Sequence, residues 1–180
     1  MNGALCHRAF FALQPSPDAC REIDRRSLMC GSGHRVLSEH LHLTLAITED
    51  HHTPPQAQMD RMRRIAGELW LTPFELILDR LTGSETSLAL CPSEKPTQLR
   101  FLQRQLQKGL ALCGIRRAGW RFSPHVTLLY RNGAPFSQPI APISWRVDEL
   151  VLVHSHVGLT RHDVAGRWPL LPRGSASLAA

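Results

Sequence analysis

A four-residue phrase occurs twice in the chain, as His42-Leu43-Thr44-Leu45 and, in the second half, as His125-Val126-Thr127-Leu128. Each copy sits in a run that alternates apolar and polar residues, the pattern of a strand with one buried face. In the first run Leu41, Leu43, Leu45 and Ile47 share one face, and His42, Thr44 and Ala46 the other. In the second, Val126, Leu128 and Tyr130 oppose His125, Thr127 and Leu129. A fold that buries both apolar faces leaves two imidazole and hydroxyl pairs free to line one cleft. This constrains the chain to two similar halves around a shared site.

The segments between the motifs support that plan. Residues 8–13 read as an opening strand, followed by a helix start with Ser16 as cap and Pro17 in the first turn, closed by Gly31-Ser32-Gly33. After the first motif strand, residues 41–47, Thr53 and Gln56 have capping-box spacing. Met59, Met62, Ile65, Ala66 and Leu69 then recur at helical spacing, a stripe that belongs to the core. Strands are expected over 74–81 and 87–90, and a helix over 97–113 with Leu99, Leu102, Leu106, Leu110 and Cys113 inward and Gly114 just past its end. Beyond the second motif the chain reads as a Pro-rich link over 134–142, a strand over 147–153 and a short Trp168-Pro169-Leu170 segment. Short turns between successive strands favour antiparallel pairing. The expected class is α+β: a bilobal, pseudo-symmetric fold, antiparallel sheets lining a central cleft with helices packed outside. Residues 1–172 would form one bilobal domain and 173–180 a flexible tail.

Composition is permissive. With 180 residues, 43% of them hydrophobic, the chain can bury a core. A formal charge of +6 favours a polyanionic partner without naming one, although on composition alone ordinary solubility from surface arginines is the better explanation. The five cysteines include no Cys-x-x-Cys pair, which argues against a zinc knuckle or a disulfide framework. Polar residues interrupt the N-terminal stretch, and no run approaches ~18 apolar residues, so neither a secretory leader nor a membrane span is expected. We read a cytoplasmic protein with reduced thiols, and a monomer.

Two imidazoles on one cleft can act as base and acid from opposite ends of a displacement at phosphorus, because both forms of histidine are populated near neutrality. Thr44 and Thr127, each two residues on and facing the same way, can donate hydroxyl hydrogen bonds to non-bridging phosphate oxygens. The chemistry needs neither metal nor cofactor. A lone His-x-Thr on a strand is ordinarily sheet decoration; two copies on otherwise apolar strands are not. Arg131 can offer a phosphate a charged fork. Tyr130 and Phe11 can offer a base a stacking surface, although one ring of the Phe10-Phe11 pair must belong to the core. His154 and His156 share a strand face at a spacing compatible with a metal, but no carboxylate or thiolate cluster completes a ligand set. His51 and His52 fall in a solvated loop.

At these motifs the sequence resembles the bacterial RNA 2',3'-cyclic phosphodiesterases, the 2'-5' RNA ligase or LigT-like family of two-histidine phosphoesterases. Arg8-Ala9-Phe10-Phe11-Ala12-Leu13 is similar to the family's opening strand, and Arg121-Phe122-Ser123-Pro124 to the lead-in of its second motif. The segments from Trp145 to Val153 and Trp168-Pro169-Leu170 also look like family features. The resemblance implies opening of a 2',3'-cyclic phosphate at an RNA end to a 2'-phosphate. His42 would be the proton donor to the ribose O3' and His125 the proton acceptor from water, with Thr44 and Thr127 holding the phosphoryl oxygens. It also implies reversible 2'-5' joining of RNA ends, tRNA halves among them. Spacing alone leaves the two histidine roles interchangeable. It also leaves open an RNA-end binding protein with little catalysis, and a phosphodiesterase acting on a small cyclic nucleotide.

Overall fold

Ser16 and Pro17 set the first junction of the chain. In the computed structural model, which describes residues 6–171, β1 (Cys6–Leu13) gives way to α1 (Pro17–Met29), whose first turn is closed by the Ser16 hydroxyl accepting the Ala19 N–H. The expected tail, 173–180, lies outside the described residues. After α1 the chain turns through Gly31, at φ 87°, into the two-residue β2 (His34–Arg35), then a 3-10 turn (Ser38–His40) and the first motif strand β3 (Leu43–Ile47).

α2 (Gln56–Gly67) buries Met59, Met62 and Ala66, as its stripe requires. Its cap differs from expectation. The capping position is Pro55, with no side-chain hydrogen bond, and the Gln56 side chain reaches forward to Asp60 at 3.1 Å instead of back to Thr53. Pro54 and Pro55 explain this, because their carbonyls take the first helical amides, Gln56 on Pro54 and Met59 on Pro55. α3 (Thr97–Leu112) buries Leu99, Leu102, Leu106 and Leu110. It crosses α2 closely: a Cβ on Gly109 would lie 2.7 Å from the Ile65 side chain.

β4 (Phe74–Gly83), β5 (Ser87–Cys91) and the second motif strand β6 (Val126–Tyr130) follow the expected pattern. Two later segments do not. The expected link over 134–142 is the first half of a strand, β7 (Phe136–Val147), paired with β4. β7 ends the sheet, so Pro139 and Pro142 are placed in an edge strand, where a missing N–H donor is tolerated; Pro139 also borders a shift of the β4–β7 register in which β7 carries the extra residues. The short segment around Trp168 is likewise a full strand, β9 (Arg161–Pro169), paired along its length with β8 (Glu149–Val157).

Among the described residues all strands join one antiparallel sheet in the order β7-β4-β5-β6-β3-β1-β8-β9, with β2 added to β6. The order is palindromic in kind. Two motif strands meet at the centre through a single register pair, Leu43 with Val126, which are equivalent residues of the two motifs. The expected lobes are thus two halves of one continuous sheet. The helices interlock them: α1 packs on β6 and β7 of the opposite half, and α3 on β3.

The symmetry extends to a defect. β1 and β3 lose register between Phe11 and Ala12, leaving Leu45 as an extra residue; β5 and β6 lose it between Leu88 and Ala89, leaving Leu128 as the extra one. A bulge after each threonine inverts the alternation from that point. Ala46 and Leu129, expected beside the histidines, are buried with the core, whereas Ile47 and Tyr130 turn to the cleft. Leu43 is wholly buried at the joint between the halves. Leu43→Ala is expected to cost about 2–5 kcal/mol in chemical denaturation, the range for removing a core leucine; a cost near zero would show that the central pairing is not where the halves are held.

Candidate active site

His42, Thr44, His125 and Thr127 line one cleft of about 600 Å³ on the sheet face turned away from the helices. The two histidines stand just before their strands, and each is oriented by the same contact. His42 Nδ1 lies 2.6 Å from the carbonyl of His40, and His125 Nδ1 lies 2.7 Å from the carbonyl of Ser123, two residues upstream in both cases. A carbonyl only accepts, so each Nδ1 carries the hydrogen. Each neutral ring therefore presents Nε2 as the nitrogen free to exchange a proton.

The surroundings of the two rings differ. Phe10 from β1 stacks on His42 with ring centroids 4.8 Å apart, and His162 from β9 meets it edge-on at 5.4 Å. Burial pushes the His42 imidazole below the ordinary histidine pKa; the His40 carbonyl opposes this, and the charges of His125 and His40 add to it. His162 is driven down to about 4, first by burial and then by His42 and His40. His125 is exposed. The register of the sheet supplies a reason: the position in β5 equivalent to Phe10 is Ser87, which brings no ring.

The other candidates divide. Tyr130 lines the cleft and is 54% exposed, carried there by the bulge at Leu128. Phe11 does not line it. Its ring is fully buried on the helix side, edge-on to Trp168, and Phe10 is the member of the pair that faces the site. Arg131 is also displaced from the cleft lining: it follows Tyr130 on the alternating chain, its amide is tied to the Thr86 carbonyl, and its Nε is buried. The cleft's arginines are Arg8 and Arg35. Arg8 is held in a two-point ion pair with Asp50 at 2.5 and 2.7 Å, which lowers the Asp50 pKa, whereas Arg35 is exposed and has no carboxylate partner among the described residues. His34, His40 and His162 also line the cleft without having been singled out as site residues. His162 could have been found only by extending β9 back from Trp168. His154 and His156, which lacked a completing ligand in sequence, are joined by His7 from β1.

A family model described as the 2'-5' RNA ligase superfamily matches residues 15–159. The chain belongs to the 2'-5' RNA ligase superfamily. Solved structures agree. E. coli LigT bound to 3'-AMP superposes with a TM-score of 0.80 at 25% identity, covering 92% of this chain and 98% of that one. LigT in its apo form gives 0.78 at 26% identity with the same coverage. A Thermus thermophilus protein, at 19% identity and a TM-score of 0.71, shares the fold over 92% of this chain and 99% of its own. Among curated proteins no sequence matches the chain. Membership in the superfamily makes the chain an enzyme of the phosphoesterase and RNA ligase class. No helix among the described residues is long and apolar enough to cross a membrane.

In this superfamily member the enclosed histidine is expected to titrate below pH 6.5 in the free protein, and to move upward when a phosphate monoester fills the cleft, since a nearby anion favours the imidazolium. Imidazole NMR of His42 with and without a nucleoside 2'-phosphate checks both directions; a free-state pKa above 6.5 would contradict the burial argument.

Proposed function

We propose that the chain hydrolyses 2',3'-cyclic phosphate ends of RNA to 2'-phosphomonoesters by two-histidine acid and base catalysis. The observation that carries this is the matched hydrogen bond from each Nδ1 to the carbonyl two residues upstream, which readies two Nε2 atoms for proton transfer on one cleft. Support also comes from E. coli LigT, which has been crystallised with 3'-AMP and with phosphate on this fold.

In the proposed reaction a water oxygen attacks phosphorus and gives its proton to His125 Nε2. The P–O3' bond breaks, and O3' takes the proton from His42 Nε2. Thr44 and Thr127 donate to the non-bridging oxygens as charge develops there. Burial keeps His42 neutral in the free cleft, so its proton is acquired with the substrate: the phosphodiester anion supplies the opposite charge that raises its pKa. A ribose hydroxyl of a second RNA end in place of water gives 2'-5' joining by the same route. Exposed Tyr130 offers a face for the terminal base, and Arg35 a cation for the flanking phosphate. These side chains handle every proton and charge in the step, so EDTA is expected to leave turnover unchanged.

The test is incubation with an oligoribonucleotide ending in a 2',3'-cyclic phosphate, reading the product by its resistance to nucleases that need a free 2'-hydroxyl. His42→Ala and His125→Ala should each lower kcat by about 10² to 10⁴, with the circular dichroism of the wild type. Full activity in either variant would sink the mechanism. Salt-sensitive binding without product would favour an RNA-end binding protein, and turnover confined to mononucleotides a small-substrate enzyme. Arg35→Gln is expected to raise KM roughly tenfold with little change in kcat, and to reduce the salt slope of oligonucleotide binding by about one. An unchanged slope would remove Arg35 from the RNA path.

A further inference from the structure

We propose that His7, His154 and His156 form a binding site for a divalent transition-metal ion of the zinc class, behind the β1–β8 edge of the cleft. His7 lies on β1 directly across from His156 on β8, and His154 lies across from Ala9. Paired residues share a face, and Ala9 is part of the helix-side core, so the three imidazoles gather on the face opposite to Arg8 and Phe10. His156, near the end of β8, also borders the cleft. This site is independent of the proposed reaction, which uses none of the three.

The geometry suits a metal. One ligand nitrogen from each ring lies within 4.8 Å of the others, and His7 Nδ1 and His154 Nε2 are already 3.0 Å apart. Tetrahedral zinc with Zn–N bonds of 2.0–2.1 Å requires nitrogens about 3.3 Å apart, a change that ring rotation can supply. His156 is oriented for the task. Its Nε2 donates to Asp163 at 2.7 Å, which leaves Nδ1 with a lone pair, and Asp163 is itself gripped by Arg161 at 3.0 and 3.1 Å. A histidine whose far nitrogen donates to a carboxylate is the usual support for a metal ligand. Three imidazoles without a thiolate or carboxylate ligand favour zinc, nickel or copper over magnesium or calcium, and leave a fourth position for water. His7 and His154 are nearly buried, so the ion would tie β1 to β8, and through Asp163 to the end strand β9.

The test uses the full chain stripped with a chelator and titrated with Co²⁺, read by its visible spectrum, and with Zn²⁺, read by calorimetry. One ion should bind per chain and raise Tm. His156→Gln should weaken binding at least tenfold. Asp163→Asn should weaken it about tenfold to hundredfold, because the orienting carboxylate is lost while the ligands remain. Both sites are partly exposed, so these variants avoid emptying the buried positions of His7 and His154, and circular dichroism confirms their fold. His42→Ala should leave the metal affinity unchanged. Binding no tighter than millimolar, or binding that survives His156→Gln and disappears in His42→Ala, would overturn the proposal: the first reduces the trio to a hydrogen-bonded stack, and the second moves the ion into the cleft.

Discussion

The single register pair between Leu43 and Val126 is the joint on which the rest of the molecule depends. It joins two equivalent strands at equivalent residues, so whatever one strand presents to the cleft the other presents again in mirrored order. The histidines fall just outside the joint and the threonines just inside their strands. A slip of one residue would turn both apolar faces outward, and burial of Leu43, Leu45, Val126 and Leu128 opposes that with the full weight of the core.

Symmetry of backbone does not carry over into symmetry of environment. The carbonyl contacts on the two imidazoles are nearly identical, yet Phe10 and His162 enclose one ring while the other remains open. Two groups equivalent in sequence become distinguishable through their neighbours, one imidazole enclosed and the other exposed. The enclosed ring is poised to respond to an anion, because its charge is costly only until a counter-charge arrives.

What could be read in the sequence had local causes. The helical stripes, with Leu69 falling past the end of α2, the Ser16 cap and a strand at each motif rest on periods and short-range hydrogen bonds, and these are present in the fold. What could not be read depends on partners far along the chain. Prolines 139 and 142 look like a linker until β4 is seen to pair only one side of their strand. The bulges at Leu45 and Leu128 have no signature of their own, so the phase change that brings Ile47 and Tyr130 to the cleft was hidden, and with it the choice between Phe10 and Phe11. His7 gives no hint of His154 until β1 and β8 lie side by side.

The crossing of the helices over the joint bears on how the molecule comes into being. α1 is made early, but the strands it packs on, β6 and β7, are made after residue 125. A nascent chain therefore exposes the apolar side of α1 while more than half of the protein is still being synthesised, and neither half offers a complete surface to its own helix. Although the sheet looks like a duplicated unit, the duplicates are not separable: each is finished only by the other, and the cleft exists only once both are.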